Sequence, residues 1–218
     1  MSNKLFSIFT FLKMSNEFKG LELNSKIALK QEFEDAIANC QERIFLRTYA
    51  VSNLKEDCDI LMWRMHNSVD FLQEICTKTF SAGVGRFMEI RYTYIGYADF
   101  NSELEEINTK IGVYPYLLLH PLIKNQRWYE LSDDERKKLM DERKGIIEKY
   151  PQIKETIFKS FGIDDQDMIV ARESKDLEKL IDCTYELKKL KNKSYTLSDK
   201  PVFLCIGKDL RYILDTLG

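Results

Sequence analysis

The two halves of this chain repeat each other at an offset of 108 residues. Glu56, Asp57, Asp59 and Arg64 fall on Asp164, Asp165, Asp167 and Arg172, and Thr48 and Ser52 fall on Thr156 and Ser160 in the same register. Hydrophobic periodicity in two independent hairpins would not force such matches, so the pattern reads as an internal duplication. That constrains the fold heavily, because whatever one half forms the other must form too. At 218 residues the chain has room for two modules of about 100 residues each.

The element order within each half follows from apolar spacing and turn residues. Residues 5–12 read as a first strand, and Ser25 can cap a helix over residues 26–41 with Ala28, Leu29, Phe33, Ala36 and Ile37 on its inner face. Residues 44–51 and 60–63 read as two strands joined through a polar turn, followed by a helix over 68–79 and a strand over 86–97. This spells βαββαβ. The second half repeats it with strands at 112–119, 153–161, 168–171 and 202–206 and helices at 132–150 and 176–187. The expected fold class is therefore α+β, with modules at 1–97 and 112–218 and a polar linker at 98–111 crossing the surface. A second insertion, residues 120–127, is expected as a loop.

Bulk properties exclude several function classes. The 33 basic and 35 acidic residues give a net charge of −2, without the basic excess that a phosphate backbone demands, so no nucleic-acid partner is expected. The apolar start at residues 5–12 is short, closes on Lys13 and lacks a small-residue cleavage site, and no run approaches the roughly 20 apolar residues of a membrane span. A cytoplasmic protein without a membrane span is expected. Cys40, Cys58, Cys76, Cys183 and Cys205 are odd in number and lack a CxxC pair, which reads as reduced thiols. His66 and His120 stand alone, so no metal site is expected from the residues themselves. His66, at a helix entrance, suits a capping role, while His120 in the insertion could reach a pocket mouth. The Asp164, Asp165 and Asp167 cluster lacks the glycine and terminal glutamate of a calcium loop, and its echo in the first half favours a turn-forming role.

The most telling single residue is Arg143. Ser132 and Glu135 form a capping box at the start of the helix, and Leu139, Met140, Ile146, Ile147 and Tyr150 recur at steps that bury one stripe. Arg143 lies on that stripe, so a cation points at what should be core, and Pro151 ends the helix.

Several blocks, in order, carry a resemblance to a known family. RTYAVSNLKEDCDILMW, RYTYIGY, VYPY, RWYELSDDER, KSFGIDDQDMIVARE and SYTLSDKPVFLCIG resemble the chlorite dismutase family, which includes the coproheme decarboxylases. The resemblance covers nearly the whole chain. It implies two tandem ferredoxin-like modules packed sheet to sheet, of the dimeric alpha-beta barrel type, and assembly into a ring, commonly a homopentamer. It also implies haem or coproheme as cofactor in the second module, and a haem-dependent oxidoreductase of peroxidase or decarboxylase type.

Carried onto this sequence, the resemblance puts Arg143 where the family has its proximal histidine and Glu155 where the distal residue stands. A guanidinium offers no lone pair to iron, whereas neutral imidazole does. Tyr114, followed by Pro115, matches the tyrosine to which decarboxylases of one branch assign a radical, while Leu118 stands where a helping lysine is expected. Catalytic Tyr114 with cofactor-contacting Arg143 and Glu155 is thus the implied site. Arg143 and Glu155 are complementary in charge and come from a helix and a strand lining one cavity, so they are expected to pair. Two functions stay open: a haem-dependent enzyme, and a haem-free divergent member with a small-molecule-binding or structural role.

Overall fold

The computed structural model describes residues 3–101 and 104–218; Ser102 and Glu103, within the expected linker, lie outside the described residues. The first half runs β1 (Asn3–Met14), α1 (Asn16–Lys19), α2 (Leu23–Gln41), β2 (Phe45–Ala50), β3 (Ile60–His66), α3 (Val69–Phe80) and β4 (Met88–Phe100). A helix, α4 (Leu104–Lys110), occupies the linker. The second half runs β5 (Tyr116–Lys124), α5 (Gln126–Glu130), α6 (Asp133–Glu148), β6 (Ile153–Lys159), β7 (Met168–Ser174), α7 (Leu177–Lys189), β8 (Thr196–Ser198), β9 (Phe203–Gly207) and α8 (Leu210–Thr216). Each half is a βαββαβ module, as the sequence implies.

The modules join edge to edge into a closed barrel. The strand order is β7-β6-β4-β1-β3-β2-β9-β5, and β5 pairs back onto β7. The seams are short: Tyr97 opposite Lys159 between β4 and β6, and Tyr49 and Ala50 opposite Gly207 and Ile206 between β2 and β9. Gly96 permits the first, because a Cβ there would stand 2.8 Å from Ser160 Oγ and 2.9 Å from Phe158 Cβ. Ser160 Oγ donates to the Ile95 carbonyl (2.6 Å), and Ile95 N–H donates to Asp164 (2.8 Å). Inward residues of both sheets fill the barrel, with Phe9 stacked on Trp63 at 5.0 Å and Phe11 on Phe203 at 3.9 Å. Outside, α2 and α3 cover the first sheet through a large apolar cluster, whereas α6 and α7 cover the second through a small one centred on Ile153, Leu180, Cys183 and Leu187.

The duplication is visible atom by atom. Asp59 accepts the Met14 N–H and donates its own N–H to the Leu12 carbonyl; Asp167 accepts the Lys124 N–H and donates to the Leu122 carbonyl. The 108-residue offset holds from these aspartates through β3 and β7, but the strands before them are displaced. Val51 donates to the Asp59 carbonyl and Ser160 to the Asp167 carbonyl, so the second turn is one residue shorter. The matches of Thr48 with Thr156 and Ser52 with Ser160 are therefore one residue out of structural register.

Other local expectations also change. Helix α2 begins at Leu23 behind Glu22, which makes no side-chain cap, and not behind Ser25. Residues 120–127 are not an insertion loop: β5 continues through Pro121 to Lys124 and α5 follows. The last helix, α8, crosses to the first module, where Ile213 and Leu214 join the cluster containing Phe33 and Ile37. No helix among the described residues is long and apolar enough to cross a membrane.

Candidate functional site

The outer face of the second sheet, beneath α6 and α7, holds a group of paired, poorly solvated charges. The capping box at Ser132 and Glu135 fixes the start of α6, which then carries Arg143 over the sheet. Glu155 on β6 stands directly opposite Arg172 on β7. Arg143 donates from Nε to Glu155 Oε1 (3.0 Å) and from Nη2 to Oε2 (2.5 Å), the two-pronged geometry that suits guanidinium and carboxylate. Arg172 donates from Nε to the same Oε2 (2.6 Å) and from Nη1 to Thr184 Oγ1 on α7 (2.8 Å). The three charged side chains are 12%, 8% and 4% exposed, so one carboxylate answers two guanidiniums away from water. Burial pulls the Arg172 guanidinium down, with Arg143 adding to the effect, and the Glu155 carboxylate is the main group opposing it.

Beside this network lies a cavity of about 100 Å³, bordered among others by His120, Lys124, Arg143, Arg172, Asn192 and Lys193. Lys124 donates to Asn192 Oδ1 (2.7 Å) and sits 4.1 Å from the centre of the Trp128 ring. Its pKa is pulled down to about 8 by burial and by Arg143. His120, 7% exposed, is pushed down to about 3 by burial and then by Arg172 and Arg143, so it is neutral at physiological pH. Its Nδ1 has no hydrogen-bond partner. The expectation that His120 sits in a loop at the pocket mouth is thus replaced by a buried strand residue in the wall.

The first module shows what this face is like with one of the three charges. Strands β1 and β5 correspond at an offset of 110, since Leu12 pairs with Ile60 where Leu122 pairs with Met168. At the matching offsets His120 answers to Thr10, Arg143 to Phe33, Glu155 to Leu46 and Arg172 to Arg64. Phe33 and Leu46 are buried core, and Arg64, fully buried, donates to Thr10 Oγ1 (3.5 Å) and the Met62 sulfur (3.0 Å) and lies over the Phe80 ring (5.2 Å), with no carboxylate among these contacts. The second copy has exchanged an apolar filling for a charged network.

Arg143 and Glu155 are therefore brought together, and Tyr114 is not. Tyr114 lies in the segment before β5, bordering a different surface groove of about 840 Å³ with Arg47, Tyr49 and Lys208. Its ring is approached by Lys154 Nζ (4.8 Å) and Lys175 Nζ (5.3 Å). His66 Nδ1 accepts the Ser68 N–H (3.1 Å) at the start of α3, a capping role. Among the described residues no group of three or more His, Cys, Asp or Glu could hold a metal ion. Sequence reasoning missed Arg172, Lys124 and Lys193 as members of the site; only Arg172 carried a signal, as the partner of Arg64 in the repeat.

A closed barrel of two ferredoxin-like modules with its candidate site beneath the second module's helices defines the class of protein. A model of the chlorite dismutase family matches residues 26–208, and the chain belongs to that family. It is 22% identical over 160 residues to a coproheme decarboxylase from Mycolicibacterium smegmatis, a match covering 71% of this chain and 69% of that protein. Two structures of the chlorite dismutase from Candidatus Nitrospira defluvii share the fold at 20% identity. A mutant form has a TM-score of 0.89 over 100% of this chain and 96% of that one, and an imidazole complex 0.88 over 98% and 94%.

Family membership implies haem, and the residues here do not fit it. Pockets for ligands of ordinary size begin at about 300 Å³, and the cavity of about 100 Å³ is far too small for a tetrapyrrole. Arg143 and Arg172 in its wall are held by Glu155 behind them, and the imidazole in the same wall is flanked by cations.

Proposed function

We propose that this chain is a haem-free member of the chlorite dismutase family whose second-module pocket serves small-molecule binding. The observation that carries this reading is the Arg143–Glu155–Arg172 network, which fills the space under α6 with paired charges. The resemblance puts Arg143 in place of the proximal ligand, and a guanidinium cannot supply the lone pair that iron needs. The division into modules at 1–97 and 112–218, assembly into a ring, a pentamer as in the family, and a cytoplasmic location belong to the same reading.

The competing reading, a coproheme-dependent oxidoreductase using Tyr114, draws on the Mycolicibacterium relative and on the Tyr114–Pro115 pair. Titrating the purified protein with haem and with coproheme separates the two. The haem-free reading expects no Soret band shifted from that of free haem or free coproheme. A shifted band saturating at one equivalent would overturn it.

A further inference from the structure

We propose that the cavity beneath α6 and α7 is a binding site for a small oxyanion, held among Lys124, Arg143, Arg172 and Lys193 with His120 in its wall. This rests on the haem-free reading and names the ligand class of that same pocket.

The charge balance of the walls is the first argument. Lys124, Arg143, Arg172, Lys188 and Lys193 border the cavity, against Asp199 as the carboxylate among its lining residues. Asp199 is engaged by Lys193 (2.6 Å), and Glu155, behind the wall, is shared by the two arginines. The field inside is therefore positive, and it is felt: Arg172 and Arg143 both disfavour protonation of His120, and Arg143 that of Lys124. A site that works against its own cations gains most from an anion.

Free donors are the second argument. Arg143 commits Nε and Nη2 to Glu155, and Arg172 commits Nε and Nη1 to Glu155 and Thr184. That leaves Nη1 of the first and Nη2 of the second without a protein acceptor among the described residues. His120 Nδ1 is buried and unpartnered, an arrangement that costs free energy unless something completes it. Two planar forks converging on one cavity suit an acceptor with more than one oxygen better than a halide. Size sets the upper limit: about 100 Å³ is the share of roughly three waters, room for an anion of a few heavy atoms such as formate, nitrate or phosphate.

The chain has two histidines, His66 and His120, so imidazole nitrogen resonances report on the cavity and on a distant control in one spectrum. The full chain is titrated with sodium formate, sodium nitrate and inorganic phosphate at constant ionic strength set by sodium chloride, with a parallel coproheme titration read by absorbance. Saturable movement of the His120 signals with at least one oxyanion, and none of His66, is the expected result. Lys193→Gln, at a half-exposed position, should weaken that binding at least about tenfold, as loss of a charged donor does, and Asp199→Asn should tighten it. Opposite shifts in two adjacent variants are not produced by poor folding. Unmoved His120 signals, or equal and unsaturable effects of chloride and the oxyanions, would overturn the inference. If neither coproheme nor oxyanion binds, the haem-free reading stands and the oxyanion site falls; stoichiometric coproheme binding removes the reading beneath it.

Discussion

Arg143 and Arg172 meet at a single atom. Glu155 Oε2 lies 2.5 Å from Nη2 of the first and 2.6 Å from Nε of the second, so a helix and two strands are tied through one carboxylate oxygen. The network is asymmetric, and its energetics should be too. Glu155→Gln leaves two poorly solvated guanidiniums facing each other without a counter-charge, and should cost about 3–5 kcal/mol. Arg143→Met keeps much of the stem's packing and leaves Glu155 paired one to one with Arg172, so the loss should be nearer 1.5–3 kcal/mol, the range for a charged hydrogen bond. Urea unfolding of the three proteins measures both values. Equal losses, or a larger loss for Arg143→Met, would mean the carboxylate is not the hub.

Much of this was legible in residues and some was not, for identifiable reasons. Apolar periodicity and the capping box at Ser132 locate α6, and the charge complementarity of Arg143 and Glu155 suffices to expect their bond. The part played by Arg172 depends on the register of β6 against β7, which sequence does not disclose. Residues 120–127 look like a break because Pro121 interrupts a strand pattern. In the barrel, β5 pairs with β9 only over Tyr116–Leu119 and with β8 only from Ile123, so Pro121 falls where β5 has β7 alone as a ladder neighbour and a missing N–H is tolerated. Lys193 reaches the cavity from far along the chain, by a route that no local pattern marks.

Glu173, next along β7, gives a pH signature of its own. It is 2% exposed, its Oε1 lacks a hydrogen-bond partner, and burial raises its pKa from 4.5 to about 7. Between those values the folded chain keeps a proton that the unfolded chain has released, so stability present below pH 4.5 is lost as pH rises towards 7, and the loss then levels off. Glu173→Gln keeps the shape and cannot ionise. It should match the parent protein near pH 4.5 and exceed it above pH 7 by up to roughly 3 kcal/mol. His120, depressed to about 3, slopes the other way below pH 6.5 in both proteins and cancels in the difference. Denaturant midpoints between pH 4.5 and 8 provide the test, and a difference independent of pH would show that Glu173 is ionised in the fold throughout.

The repeated aspartates make the duplication itself testable. Asp59 Oδ2 accepts the Met14 N–H (2.9 Å) and its Oδ1 the Lys13 ammonium (3.1 Å), while Asp167 Oδ2 accepts the Lys124 N–H (2.5 Å) and its Oδ1 the Tyr129 hydroxyl. Each thereby fastens the turn between the second and third of its module's βαββαβ strands to the end of that module's first strand, where α1 or α5 begins. Alanine at either position leaves a backbone N–H without its acceptor and should cost about 1–3 kcal/mol. Asparagine, which keeps one oxygen, should cost less. The two sites share no hydrogen-bonding partner among the described residues, so the losses in Asp59→Ala/Asp167→Ala should add to within about 0.5 kcal/mol. Amide exchange localises the effect: the Met14 amide should lose protection in the first variant and the Lys124 amide in the second, each without the other. A double variant far from additive, or protection lost in both modules from one substitution, would show that the two copies no longer act as separate modules.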